Sequence, residues 1–326
     1  MITKNILHLS HTDLDGIGCQ IASHNTFKNV RNFNSTYVKV TEFLHIIEEH
    51  IERNIYYYDY VFVTDLSITE EDFILLNKIA NRYIDIEFIF IDHHPYVFDH
   101  SHYKESNLKI ITTEKYSASL LTLKYLQKYF KTTNNSTKEI NKIINNINAY
   151  DIWLVDKPEF NNGLILNELF WSFKLKPTFN KYKNYPHSLT NKDKELYGKL
   201  MNKKEILYAK SIENGRQFTF GKRIFVIFMD DFSSHITLDN PGYSTYIIVK
   251  SYGSMSVRII EEYGVNGIMK DNIVNKLLKL DEVHSAGGHN LALGLSLVNK
   301  SVDNQFKVLK QLVNFIDIEM DIIDGI

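Results

Sequence analysis

Cysteine is almost absent from this chain of 326 residues, which contains only Cys19. No disulfide can therefore form within the chain, and proteins without disulfides are typical of reducing compartments. Cys19 lies in an apolar stretch, residues 17–22, where a small buried core residue is expected far more often than a catalytic thiol. The chain is not predicted to use a cysteine nucleophile.

Long apolar runs are also missing. The first 16 residues lack the apolar stretch of a secretory signal peptide, and no run of about 18 apolar residues occurs anywhere in the sequence. We therefore expect neither a signal peptide nor a membrane span. Together with the single cysteine, these absences predict a cytoplasmic protein with no membrane partner.

A strongly basic balance is the third missing feature. The formal net charge is -2 and the pI is about 6.7, whereas proteins that coat long duplex DNA are usually strongly basic. A small anionic substrate remains compatible with this balance, because bound metal ions can supply positive charge locally. The hydrophobic fraction of 44% is that of a globular protein, and the length suits two domains.

The first half of the chain alternates short apolar runs with helical patterns. Strands are predicted over residues 5–10, 60–67 and 87–94, and helices over 16–27 and 70–83. Strands interleaved with helices indicate βαβ units and therefore a parallel sheet. Two further helices flank a polar break, and the second carries Asp151 near its end.

The second half has a different pattern. An irregular stretch is followed by a helix to about residue 214, then by β-branched and aromatic strand patterns, a helix over 271–280 and a glycine-rich turn. The predicted class is α/β, with an N-terminal parallel-sheet domain and a smaller C-terminal α/β domain. The predicted bounds are 1–185 for the first domain, 186–214 for a linker helix and 215–326 for the second domain.

Acidic and imidazole side chains follow three of the predicted strands. The groups are His11, Asp13 and Asp15 after the first strand, Asp65 after the second, and Asp92, His93 and His94 after the third. The carboxyl ends of strands face the ligand crevice in an open α/β sheet. We therefore expect these groups to converge on one site, to which Asp151 can add a carboxylate from a helix.

Mixed carboxylate and imidazole donors favour Mn²⁺ or Fe²⁺ over the all-oxygen sites of Mg²⁺ and Ca²⁺. About six candidate ligands exceed what one octahedral ion with open positions needs, so two ions that share a carboxylate are predicted. Such pairs catalyse phosphoryl hydrolysis by activating a water, which then attacks phosphorus. A serine or cysteine nucleophile is not required.

A second glycine signal lies near the carboxyl terminus. Gly287 and Gly288 can expose backbone N–H groups to a phosphate, and His289 can bind the same anion. Arg258 can add a bidentate phosphate contact. Taken alone, a pair of glycines is usually an ordinary turn, and an arginine such as Arg258 is usually a surface charge.

These motifs together resemble the DHH phosphoesterase family with its DHH-associated C-terminal domain. The motifs are HTDLDG, VTD, IDHHP and AYD, followed by SVR and SAGGH, in the order that the family keeps. The resemblance covers nearly the whole chain and is greatest to oligoribonucleases of the NrnB and NrnA type. Leu9 departs from the NrnA pattern, which has a histidine there, and Ser285–Ala286 replaces the glycines that often precede the final motif.

The resemblance implies a role for each motif. Asp65 bridges two Mn²⁺ ions, and the remaining ligands are Asp13, Asp15, His93, Asp151 and, in an extra position, His11. Asp92 orients His93, and His94 contacts the metal site or the scissile phosphate. A substrate phosphate is held across a cleft between the two domains, in which the active site lies, by Arg258, Gly287, Gly288 and His289.

The implied function is hydrolysis of very short oligonucleotides, such as pApA, to 5′-mononucleotides. The alternatives left open are a RecJ-like single-strand exonuclease, a cyclic-dinucleotide or pAp phosphoesterase, and a catalytically silent nucleotide sensor. An inorganic pyrophosphatase is disfavoured by the GGH motif. No obligate protein partner is evident, and a homodimer is compatible with the sequence.

Overall fold

The computed structural model describes most of the chain: residues 4–27, 32–53, 58–96, 98–99, 107–130, 137–173, 180–182, 189–214, 216–220, 223–229, 245–250, 253–259, 267–289 and 292–324. The chain divides into two compact units, Met1–Tyr197 and Gly198–Ile326. The division falls inside a long helix, Asn191–Asn214.

The first unit is built on a sheet of five parallel strands in the order β2-β1-β3-β4-β5. The strands are β1 (Asn5–Ser10), β2 (Asn32–Tyr37), β3 (Tyr60–Thr64), β4 (Glu87–Asp92) and β5 (Leu108–Thr112). The predicted parallel sheet is therefore confirmed. β3 ends sooner than predicted, because Asp65 has φ 58° and leaves the extended conformation.

The helices that accompany this sheet include α1 (Leu14–Thr26), α2 (Phe43–Arg53), α3 (Glu70–Arg82), α4 (Ala118–Tyr129), α5 (Thr137–Asp151) and α6 (Pro158–Phe173). Neighbouring residues of a strand point to opposite faces of a sheet, and in β1 Ile6 and Leu7 enter two different apolar cores. The Ile6 core includes residues of α1, α4, α5 and α6, and the Leu7 core includes residues of α2 and α3. Both faces of the sheet are therefore covered, as parallel sheets require.

The second unit contains a mixed sheet of six strands in the order β10-β11-β9-β8-β7-β6. The strands are β6 (Arg216–Phe220), β7 (Arg223–Met229), β8 (Thr245–Lys250), β9 (Ser254–Ile259), β10 (Val283–His289) and β11 (Ala292–Leu297). The helix Asn191–Asn214 is α7, and it is followed by α8 (Gly267–Leu277) and α9 (Val302–Asp324). Strands β7 to β11 and the last two helices share one apolar core, and the predicted α/β class is confirmed.

The glycine pair Gly287–Gly288 lies in a strand, whereas the sequence pattern predicts a turn. Gly287 pairs with Gly294 of β11, and Gly288 pairs with Leu293. Pairing with β11 gives the glycines an extended ladder that the local sequence alone does not favour. Among the described helices of both units, none is long and apolar enough to cross a membrane.

Candidate metal centre

The predicted ligands of the first unit gather at the carboxyl edge of its sheet. His11 and Asp13 follow β1, Asp65 follows β3, and Asp92 is the last residue of β4. Asp15 lies in the first turn of α1, and the last residue of α5 is Asp151. Residues from distant parts of the sequence are thereby brought to one place.

Three groups of side chains are arranged so that each could hold a metal ion. Within each group, one ligand atom per residue lies within 4.8 Å of every other. The groups are His11, Asp13 and Asp65; Asp15, His93 and Asp151; and Asp65, Asp92, His93 and His94. Asp65 and His93 each belong to two groups, so the groups form one continuous cluster.

His93 stands between three carboxylates. Its Nε2 atom lies 3.4 Å from Asp151 Oδ2, 3.6 Å from Asp65 Oδ1 and 3.9 Å from Asp15 Oδ2. His93, Asp15 and Asp65 are all buried. One imidazole therefore faces carboxylates from α1, from the end of β3 and from α5.

These three carboxylates carry the electrostatic signature of a cation site. Burial raises the pKa of Asp15, Asp65 and Asp151, and the charges of neighbouring aspartates raise it further. The Oδ2 atom of each has no hydrogen-bond partner among the residues that the structure describes. Buried carboxylate oxygens without partners are costly unless a cation neutralises them, so the donor set fits divalent metal ions.

His11 and Asp13 form a pair at the more exposed end of the cluster. His11 Nδ1 lies 2.8 Å from Asp13 Oδ2, and Asp13 Oδ1 accepts a hydrogen bond from Gly16 N–H at 3.0 Å, which caps α1. Burial opposes the ionised forms, but the hydrogen bond between the pair outweighs it, so the pKa of His11 is raised and that of Asp13 is lowered. The hydrogen bond therefore favours the ionised form of each side chain more than an isolated side chain would.

Asp92 bonds to His94, whereas the family resemblance pairs it with His93. The Asp92 carboxylate lies 3.0 Å from His94 Nδ1 and also accepts a hydrogen bond from the Tyr96 hydroxyl. Burial raises the pKa of Asp92, but these contacts outweigh burial and lower it, and the same ion pair raises the pKa of His94. The reversal arises because His93 faces the other carboxylates, which leaves His94 beside Asp92.

Backbone geometry near the cluster is unusual at two positions. Asp65 (φ 58°) and Trp153 (φ 59°) are the non-glycine residues with positive φ among those that the structure describes. The Asp65 N–H donates to Ile91 O at 3.0 Å, which ties this turn to β4. Left-handed backbone costs about 1–2 kcal/mol for most residues, although aspartate tolerates it better than a bulky side chain does. The fold therefore holds Asp65 in place despite this cost.

Four residues that the sequence analysis did not single out contact this cluster or its supports. They are Tyr96, Ser117, Ser119 and Asn148. Ser117 precedes an apolar helix and has a detectable N-cap signature. Its contact with Asn148 had no such signal, because a hydrogen bond between separate helices leaves no pattern in the local sequence.

The predicted phosphate-binding residues of the second unit lie on neighbouring strands. Ala292 of β11 pairs with His289 on one side and with Arg258 of β9 on the other. His289 and Arg258 are therefore in one row across three strands, with Cα atoms roughly 10 Å apart. The side chain of His289 lies outside the described part of the structure, and the phosphate contacts of this residue and of the two glycines stay a prediction.

Comparisons with known proteins give distant matches, and no family model matches the chain. A 3′,5′-cyclic-nucleotide phosphodiesterase of Helicobacter pylori (strain ATCC 700392 / 26695) is 26% identical over 160 residues. The match covers 45% of this chain and 43% of that relative, so it spans less than half of either protein.

Among solved structures, RecJ of Thermus thermophilus in complex with Mn²⁺ matches with a TM-score of 0.55 and 13% identity. This match covers 96% of the present chain and 52% of RecJ. An uncharacterized protein of Helicobacter pylori G27 matches at 18% identity over 95% of this chain and 99% of that one, with a TM-score of 0.48. The chain therefore has a RecJ-like fold.

Proposed function

We propose that this protein is a divalent-metal-dependent phosphodiesterase that hydrolyses very short oligonucleotides to 5′-mononucleotides. The observation that carries this proposal is the group of three carboxylates around His93, each with a buried oxygen that has no hydrogen-bond partner among the described residues. The metal-dependent part is supported further by the RecJ structure in complex with Mn²⁺, which shares the fold.

The donor groups divide naturally between two ions. Asp15, His93 and Asp151 would hold one ion, while His11 and Asp13 would hold the other. Asp65 belongs to two of the three groups, which supports its proposed role as a bridge. When bound, such ions lower the pKa of water and stabilise charge on phosphate oxygens. Manganese is the ion proposed, since the donors mix carboxylate and imidazole.

His94 is the group of this chain best placed to act on the substrate. Its side chain is 36% exposed, whereas that of His93 is 9% exposed. Asp92 holds Nδ1, so Nε2 is the nitrogen left to face a phosphate. Burial lowers the pKa of His94, but the contact with Asp92 outweighs burial and raises it, which favours the protonated imidazole that could donate a proton to a phosphate oxygen.

The proposed substrate is a short oligonucleotide. Its phosphate is proposed to be bound by Arg258, Gly287, Gly288 and His289. A second candidate is favoured by the partial match to a 3′,5′-cyclic-nucleotide phosphodiesterase. Both reactions hydrolyse one phosphodiester bond and can yield the same 5′-mononucleotide. The two candidates therefore differ in the shape of the substrate and not in the chemistry.

Product analysis on metal-stripped protein would separate these candidates. Mn²⁺ would be restored and the protein given pApA, RNA of two to five nucleotides, a 24-mer, matched DNA, pAp, cyclic di-AMP, 3′,5′-cyclic AMP and pyrophosphate. Fastest metal-dependent release of AMP from the shortest RNAs would support the oligonucleotide proposal. Fastest opening of cyclic AMP would support the second candidate, and preference for the 24-mer would indicate a RecJ-like nuclease. Failure to turn over any substrate, despite bound Mn²⁺, would overturn the proposed enzyme in favour of a nucleotide sensor.

A further inference from the structure

Helix α4 has an N-terminus that is capped from another part of the chain. Ser117 occupies the N-cap position, where a serine hydroxyl normally accepts a hydrogen bond from an N–H of the first turn. Ser117 makes no such bond with its side chain. The N–H of Ser119 donates instead to Asp15 Oδ1 at 3.2 Å, so a carboxylate of the metal centre caps α4.

The two serine hydroxyls contact each other at the start of α4. Ser117 Oγ lies 2.9 Å from Ser119 Oγ, and both residues are fully buried. Because Asp15 Oδ1 is taken by the Ser119 N–H, Oδ2 is the oxygen that remains for a cation. That oxygen lies 3.9 Å from His93 Nε2 and has no hydrogen-bond partner among the described residues.

Asn148 connects this capped helix to the helix that carries Asp151. Asn148 Oδ1 accepts a hydrogen bond from the N–H of Ser117 at 2.8 Å, and the residue is buried. It lies one turn before Asp151 on α5, so the two residues share one side of that helix. A single side chain therefore links the start of α4, which holds Asp15, to the ligand at the end of α5.

Close packing leaves little room for this linkage to shift. A Cβ atom added at Gly18 of α1 would lie 2.6 Å from Ser119 Cβ and 3.1 Å from Ile147 Cδ1. These atoms belong to α4 and α5, so three helices meet here at short distance. The first turn of α4 is therefore held from both sides, by α1 and by α5.

We propose that Asn148 is a positioning residue of the metal centre, which acts through Ser117 and Ser119 to set Asp15 relative to Asp151 and His93. This inference rests on the proposed metal-dependent function. Asn148 does not touch the ions. Its Oδ1 atom accepts the Ser117 N–H and so anchors the first turn of α4, whose Ser119 N–H orients Asp15. Outer partners of this kind typically change metal affinity by about 10- to 100-fold when they are removed.

The test measures how tightly the metal-stripped full chain binds Mn²⁺. The electron paramagnetic resonance signal of free Mn²⁺ reports how much of the ion remains unbound. Asn148→Ala is compared with the control Asn146→Ala. Asn146 is also a buried asparagine of α5, but it lies two positions before Asn148 and therefore points to a different side of the helix. Thermal unfolding of both metal-free variants shows whether they lose similar stability. If Asn148 had only a structural role, the two variants would lose similar thermal stability and would bind Mn²⁺ with the same affinity.

We expect Asn148→Ala to weaken the binding of at least one Mn²⁺ ion by about tenfold or more, with Asn146→Ala close to wild type. Equal affinities in the two variants would overturn the proposal while leaving the proposed function intact. If Asn148→Ala does not fold, Asn148→Leu, which keeps the side-chain volume but also removes the acceptor of the Ser117 N–H, is judged by the same criterion, and an unchanged affinity overturns the proposal. A wild-type chain that binds no Mn²⁺ would refute the metal-dependent function itself, and the role of Asn148 with it.

Discussion

The carboxylate of Asp15 and the backbone N–H of Ser119, 104 positions apart in the sequence, are joined by a hydrogen bond of 3.2 Å at the carboxyl edge of the parallel sheet. One oxygen of Asp15 thus accepts a hydrogen bond from the protein backbone, and the other has no hydrogen-bond partner among the described residues. The positive end of a helix also stabilises a nearby negative charge. Because the two oxygens of Asp15 differ in this way, the fold can hold a buried carboxylate in place and still leave one of its oxygens available for a cation.

Asp65→Asn is expected to affect stability and function in opposite directions. The substitution removes a buried charge that is repelled by Asp13 and Asp15, so the metal-free protein should gain roughly 1–3 kcal/mol in unfolding free energy. Asparagine also accepts the left-handed backbone. Turnover of pApA with Mn²⁺ should fall by more than about 100-fold, because a ligand matters at least as much as its outer partners.

Urea unfolding of chelator-treated protein and initial rates with Mn²⁺ would measure both effects of Asp65→Asn. Asp85→Asn, at an exposed position, provides the control and should leave both quantities near wild type. Wild-type turnover in Asp65→Asn would contradict the proposed bridge between two ions.

Gly18→Ala is expected to destabilise the first unit. The added methyl group would meet Ser119 Cβ at 2.6 Å, and overpacking of this kind costs about 1–3 kcal/mol. Gly18→Ala should also weaken Mn²⁺ binding, because α1 carries Asp15.

The matched control is Gly198→Ala in α7, where no atom lies within 4 Å of the new methyl group. That change should stabilise the helix by up to about 1 kcal/mol, as measured by urea unfolding. Equal effects of the two substitutions would show that the contact between α1 and α4 is not tight.

His289→Ala is expected to raise the KM for pApA while Mn²⁺ affinity stays unchanged. A hydrogen bond to a charged phosphate contributes about 1.5–3 kcal/mol, which corresponds to roughly a tenfold or greater increase in KM. The control is His284→Ala, an exposed histidine earlier in the same strand. Steady-state kinetics and Mn²⁺ titration decide the outcome. A KM that does not move would remove His289 from the proposed phosphate grip.

His8 should make the wild-type protein sensitive to acid. Burial lowers the pKa of His8 to about 3 from an ordinary value of 6.5, and its Nε2 atom lies 2.9 Å from Thr64 Oγ1. Between those two pH values, the unfolded state binds a proton that the folded state does not bind. Folding stability is therefore lost as pH falls from 6.5 towards 3, by up to about 1.4 kcal/mol per pH unit from this residue.

His8→Gln isolates this contribution, because glutamine is always neutral and can place a polar atom near Thr64. The unfolding free energy of both proteins would be measured by urea titration across this pH range. The difference between wild type and His8→Gln should widen in favour of the variant as pH falls. Parallel curves would show that His8 is protonated in the folded protein or that it titrates with its ordinary pKa.

The strands most visible in the sequence are those that carry the ligands. β3 and β4 are apolar runs that end in polar groups, and such runs predict buried parallel strands without any tertiary information. β2 and β5 were not predicted. The sequence of β2, NFNSTY, is mostly polar, without the apolar run of β3 or β4, and its pairing with β1 is what makes it a strand.

The sequence by itself determined which side chains follow the strands, and therefore which chemistry can occur at the carboxyl edge of the sheet. Only the tertiary structure decided how those side chains pair. Asp92 bonds to His94 and not to His93, and the N–H that holds Asp15 comes from Ser119. The physical reason is that strand periodicity acts over neighbouring residues, whereas a hydrogen bond depends on distances that are set when separate helices pack together.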